Sequence, residues 1–194
     1  MPRRTFLSAP ERAALLAIPL DETELIRRYT FSEQDLSVIR QHRGGHNRLG
    51  IAVQLCYLRY PGHSLPTEGM PPAELLSMVS RQLGLDSGIW PQYARRQETR
   101  REHLLELHAL LGLEPFGLRH FRQFVQYLTE WALQTDRGIV LATALVEAIR
   151  QQRILIPSLD VIERICAQAL TRGTRRVHQA LTLPLDSIQQ ARLA

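Results

Sequence analysis

The chain has 194 residues, 44% of them hydrophobic, and a formal net charge of +5. That allows one large domain or two to three small helical units with packed cores. All 24 basic residues are arginine, which excludes chemistries that need a lysine, such as a phosphate-loop lysine or a Schiff base.

In chain order, Ser8 with Glu11 three residues on is a capping box, and it predicts a first helix to about Leu16, stopped by Pro19. Asp21 starts a short helix through Arg28. Ser32 with Asp35 repeats the N-cap signature for a helix to about Gln41. The Gly44-Gly45 pair then breaks the chain before a helix from about His46 to Tyr60. That helix is apolar nearly all round, which predicts a core position. Its start gathers Arg43, His46, Asn47 and Arg48. A helix N-terminus favours anions, because its free N–H groups and dipole both present positive charge there. These four residues are therefore candidate phosphate or base-edge contacts; the alternative is a solvated helix start.

Pro61 to Pro72 is crowded with proline and glycine and reads as a linker or ordered loop between two helical units. A helix follows from about Pro72 to Leu83, capped by Gly84. Trp90, Pro91 and Tyr93 form a short aromatic connector. Next come Arg95, Arg96, Arg100 and Arg101, offset only by Glu98, at the start of a helix from about Gln97. Cations at a helix N-terminus oppose its dipole, so their placement points to an external anion.

After a turn from Gly112 to Gly117, a second helix carries Leu118, Phe121, Phe124, Val125, Leu128, Trp131 and Ala132 on one apolar face. Its other side presents Arg119, Gln123 and Gln126, flanked by His120 and Arg122. Arginine and glutamine can each make two hydrogen bonds to a base edge. Arg119, His120, Arg122 and Gln123 thus fit the recognition helix of a helix-turn-helix, although the turn is long enough for a plain helical hairpin. Helices are expected over Ile139–Gln152 and from Ser158 to about Arg172. Gly173 is expected to interrupt there, with a short basic helix holding Arg175 and Arg176 beyond it.

No strand signal appears, so the expected fold is all-α: tandem helix-turn-helix-like modules over 1–66 and 67–135, and a helical extension over 136–194. Cys56 and Cys166 stand alone and read as buried thiols in a reducing compartment. The His42–His46 gap is broken by two glycines and completed by no carboxylate, so no metal site is expected. No nucleophile elbow, phosphate cradle or carboxylate pair supports an enzyme reading. The longest apolar run, Ile139–Ile149, is too short to span a bilayer and contains Glu147; a cytoplasmic, bacterial protein without a membrane partner is expected.

Four segments, Pro2–Pro19, Tyr29–Gly62, Gln97–Phe116 and Asp136–Ile165, follow one another in an order that resembles the N-terminal region of Tn3-family transposases. The most specific parts are Arg48-Leu49-Gly50 with Leu55–Gly62, and the run Thr99–Leu111. The resemblance implies an all-helical region that binds double-stranded DNA at transposon terminal inverted repeats. It places the catalytic centre, and the divalent metal such as Mg that it needs, in a downstream region of the family's proteins. Dimer formation would also fall to downstream regions. By this resemblance the chain itself needs no cofactor and is a DNA-recognition part rather than an enzyme. The other reading is a helical protein-protein interaction or regulatory module of the transposition complex.

Overall fold

The computed structural model describes residues 6–66, 69–94 and 97–182. Among them it is all-α, with no strand or sheet. The helices are α1 (Ala9–Leu15), α2 (Glu22–Tyr29), α3 (Glu33–Arg40), α4 (Gly45–Arg59), α5 (Ala73–Leu83), α6 (Trp90–Ala94), α7 (Gln97–Leu111), α8 (Leu118–Trp131), α9 (Gly138–Gln151) and α10 (Leu159–Thr182), with a 3₁₀ turn at Ser87–Ile89 before α6.

The helix starts follow the local chemistry read from the sequence. Ser8 Oγ and the Ser8 N–H both donate to Glu11 Oε2, at 2.7 and 2.8 Å. Asp21 Oδ1 accepts the Glu24 N–H at 3.1 Å, and Ser32 with Asp35 forms a complete capping box. Gly84, with φ of 64°, ends α5 in the left-handed conformation that glycine tolerates best.

The helices fall into two compact units. One is Leu16–Glu114; the other joins the segment up to Leu15 with the segment from Pro115 onward. This differs from the expected boundaries at 66/67 and 135/136. In the Leu16–Glu114 unit, α4 is the hub, with every residue from Leu49 to Leu58 buried, and α2, α3, α5, α6 and α7 pack around it. The Pro61–Pro72 segment therefore lies inside one unit. Gln54 of α4 pins it by accepting the Leu65 N–H at 3.1 Å. Across the unit, Gln82 of α5 clamps the α2–α3 link. It accepts the Phe31 N–H at 2.8 Å and donates to the Tyr29 carbonyl at 3.0 Å. Cys56 is a buried free thiol at the centre.

In the second unit α8, α9 and α10 pack together and α1 lies against α9. The opening segment belongs here because of α10: Arg12 binds Asp160 at 2.8 Å and also Glu163, whose carboxylate accepts the Leu7 N–H at 3.3 Å. The core is formed by Leu7, Phe124, Val125, Leu128, Leu141, Leu145, Ile149, Ile162, Ile165 and the free thiol Cys166.

Two further expectations are corrected here. Gly173 does not interrupt a helix; α10 runs through it. A Cβ at Gly173 would fall 3.1 Å from Ala132 Cβ, so the glycine serves the close approach of α10 to the end of α8. The helix pair read as a DNA-reading hairpin, α7 and α8, is divided between the units. The apolar side of α8 is covered by α9 and α10, while α7 packs on α4 and α6.

Candidate nucleic-acid interface

In the Leu16–Glu114 unit the four residues Gln41–Gly44 join α3 to α4. Gly44 has φ of 84°, and its carbonyl accepts the Arg48 N–H at 3.2 Å. Asn47 Nδ2 donates to the Arg43 carbonyl at 2.9 Å and closes the turn. The start of α4 has no side-chain cap and no acidic residue in its first turn. The positive end of the helix is therefore uncompensated, and Arg43, His46 and Arg48 add to it. Arg43 is exposed, while His46, Asn47 and Arg48 are half-buried. Asn47 Oδ1 and Arg48 Nε are buried without hydrogen-bond partners. Gly45 holds this end against the chain ahead of α6, where a Cβ would fall 3.1 Å from Ile89 Cδ1. The structure thus brings all four residues expected here to one helix end.

Arg95 and Arg96 lie outside the described residues. Arg101 is exposed. Arg100, expected on the surface, is only 6% exposed and lines a cleft with Gln97, Glu98, Arg101, Leu104, Leu105 and His108. Burial pushes its guanidinium below the usual arginine range. It has no hydrogen bond or ion pair among the described residues.

Behind this face, His103 stacks on Tyr93 with ring centroids 5.6 Å apart and meets His42 edge-on at 4.5 Å. Glu106 Oε2 stands 3.3 Å from His42 Nε2. Burial, then the charge of His42, push the His103 pKa down to about 4. A histidine whose folded-state pKa lies below its unfolded one stabilises the fold fully above about pH 6.5, and that contribution is lost as the pH falls toward 4. We expect the melting temperature to decline across this window, and the His103→Gln variant to decline less steeply in the same thermal melts. An equal slope would show that His103 does not titrate as described.

On α8 the expected reader residues separate. Arg119, Arg122 and Gln123 face outward. Gln123 Nε2 donates to Gln152 Oε1 at 3.0 Å, and Arg122 has no hydrogen bond or ion pair among the described residues. His120 does not join them. It is buried beside Phe116, and its Nδ1 accepts the Gly117 N–H at 3.0 Å. It caps the helix in place of the serine or aspartate that Gly117 is not. The apolar face is also narrower than its sequence spacing implied: Leu118 is 66% and Trp131 40% exposed.

Sequence reading missed a row of arginines on α10. Arg164, Arg172, Arg175 and Arg176 are all exposed, and Arg172, Arg175 and Arg176 line a groove with Gln126, Thr129 and Glu130 of α8. The four-residue steps from Arg164 through Gln168 and Arg172 to Arg176 carried the signal. Reading Gly173 as a break cut that row in two.

Among the described residues, no group of three histidine, cysteine or acidic side chains could hold a metal ion, and no helix is long and apolar enough to cross a membrane.

The described residues form an all-α scaffold with exposed arginines on α8 and α10. The chain belongs to the family described as a domain of unknown function, DUF4158, whose model matches residues 6–169. Over 193 residues it is 55% identical to the transposase for transposon Tn3926 of Escherichia coli and 50% identical to that for Tn501 of Pseudomonas aeruginosa, in each case 100% of this chain and 20% of the relative. It is 30% identical over 190 residues to the transposase for Tn1546 of Enterococcus faecium, 98% of this chain and 19% of that protein. The resemblance to Tn3-family transposases read from the sequence is thereby established. The chain spans about a fifth of the length of these curated relatives.

Proposed function

We propose that this chain is the DNA-recognition part of a Tn3-family transposase and binds the terminal inverted repeats of the transposon sequence-specifically. The observation that carries the reading is the start of α4, an uncapped helix N-terminus reached through a tight turn and surrounded by Arg43, His46, Asn47 and Arg48. In the helix-turn-helix mode, N-terminal residues of the second helix meet base edges, and α3–α4 supports that role better than α7–α8. Arg100 and Arg101 on α7 would hold phosphates. Arg119, Arg122 and Gln123 of α8 would form a second contact face, with His120 supporting it as a cap. In this reading the chain acts in the cytoplasm, takes no part in strand cutting, and leaves the metal-dependent chemistry and any dimer contact to other parts of a longer protein.

The relatives are transposases by name, which supports a DNA partner, and the excess of arginine supports phosphate contact. The test is binding to a duplex carrying a transposon end against a scrambled duplex of equal length, across a salt series. We expect an end preference that persists as affinity falls with salt. Substituting Arg48→Ala should cost about 1–3 kcal/mol of discrimination if it contacts a base edge. Equal, weak binding to both duplexes would refute the reading.

A second reading, a helical interaction module, is favoured by one observation. The cleft between α2 and α5 is lined by Leu20, Leu25, Ile26 and Met78, with Leu20 and Ile26 exposed. It predicts that Leu20→Ser with Ile26→Ser abolishes assembly of the transposition complex while leaving DNA binding intact.

A further inference from the structure

The α10 arginines have no role in the contacts proposed so far, and the fold does not account for them. Helices α8 and α10 run side by side in the same direction. Arg164 lies over the Phe121 ring at 5.7 Å, Gly173 packs on Ala132, and Arg176 reaches Glu130 at 2.5 Å. The two ends of the arginine row are thus anchored on α8. Between them Arg172 and Arg175 are exposed and have no hydrogen bond or ion pair among the described residues. The groove they line has a single carboxylate, Glu130, already engaged by Arg176.

Like charges at three- and four-residue spacing destabilise a helix by a few tenths of a kcal/mol per pair. The helix dipole does not explain them either, because the last turn of α10 holds no basic residue. Four arginines on one face, with two free in a groove walled by Gln126, therefore fit an external polyanion better than they fit the fold. From Arg164 to Arg176 the row spans about 18 Å at 1.5 Å per residue, roughly half a turn of B-form DNA.

We infer that the α8–α10 groove is a DNA phosphate-backbone site, with Arg172 and Arg175 as direct phosphate contacts and Arg164 and Arg176 flanking them. The inference rests on the DNA reading above and extends it to a helix whose contribution is affinity without sequence preference, since phosphate contacts position a protein and base contacts specify.

The test uses the full chain carrying Arg172→Gln with Arg175→Gln, measured on the transposon-end duplex and on a scrambled duplex across a salt series. The control is Arg27→Gln with Arg81→Gln on α2 and α5, which also removes two charges. We expect the α10 variant to lose about tenfold or more in affinity on both duplexes. The slope of log affinity against log salt should shrink by about 1.8, at about 0.9 per phosphate contact, with an unchanged preference ratio and an unchanged melting curve. A slope and affinity equal to those of the unsubstituted chain would overturn the inference while leaving end recognition standing. An equal loss in the control would reduce the effect to bulk charge and overturn it as well. If the unsubstituted chain shows no end preference, the proposed function fails, yet the slope on the scrambled duplex still decides whether α10 holds phosphate.

Discussion

Gly50→Ala should destabilise the Leu16–Glu114 unit by about 2–3 kcal/mol, although alanine is the better helix former by about 1 kcal/mol. The sign comes from packing. Gly50 is buried in the middle of α4, and a Cβ there would run into the Tyr93 ring at its near edge, Cγ, Cδ2 and Cε2. The ring cannot swing away. Tyr93 is itself fully buried, lies 5.5 Å from Trp90, and is stacked on His103. The backbone of α6 would have to move off α4 instead. Thermal unfolding followed by circular dichroism should show a drop of about 10 °C or more, at about 4–8 °C per kcal/mol for a unit of this size. Adding Tyr93→Leu should restore part of the loss. A melting temperature equal to or above that of the unsubstituted chain would mean that α6 does not press on Gly50.

Asp35→Ala should cost about 2–3 kcal/mol. This carboxylate is buried and holds three groups at once: both terminal nitrogens of Arg59, the Ser32 N–H at 2.7 Å and Ser32 Oγ at 2.8 Å. Loss of the cap contributes about 1 kcal/mol. The rest is the broken pair, held toward the low side because the Arg59 side chain keeps 30% of its exposure and can rehydrate. Burial pushes the Asp35 pKa up, but Arg59 and Ser32 outweigh it and hold the carboxyl below 3.8. A depressed folded-state pKa gives stability that is full above the unfolded value and is lost as the pH falls through the folded one. The difference in melting temperature between the two chains should therefore be constant from pH 7 to about pH 5 and shrink below about pH 4. A constant difference down to pH 2 would show that the charge of Asp35 is not what stabilises.

Features set by neighbours in the chain were legible in the sequence. The capping residues Ser8, Asp21 and Ser32 each accept the N–H three residues on, so their spacing alone announces them. The core role of α4 was legible because apolar residues surround the helix, and no choice of neighbour could leave it exposed. What depended on distant partners was not. Arg12 binds residues some 150 positions away, and nothing near it in the chain marks that. Gly173 has the composition of a break and the function of a close contact, and only the position of Ala132 separates the two. His120 looked like a surface polar residue because Gly117, which offers no side-chain cap, left the capping to it. Of the candidate interface, the start of α4 was readable from residues 43–48, whereas the α10 row was hidden by the misread glycine.

The hydrogen bond from Leu7 to Glu163 spans 156 positions, and it sets an order of events on the ribosome. At about 5–20 residues per second, the opening segment waits roughly 8–30 s for its partner helix to be made. Over that interval the whole of Leu16–Glu114 emerges, and the residues packed around α4 from α2, α3, α5, α6 and α7 all lie within it. The middle of the polypeptide can therefore finish folding first, with the opening strand of synthesis left as a loose end to be gathered in last. A frameshift or stall after Glu114 would leave the α4 face assembled and the arginine groove of α10 unmade.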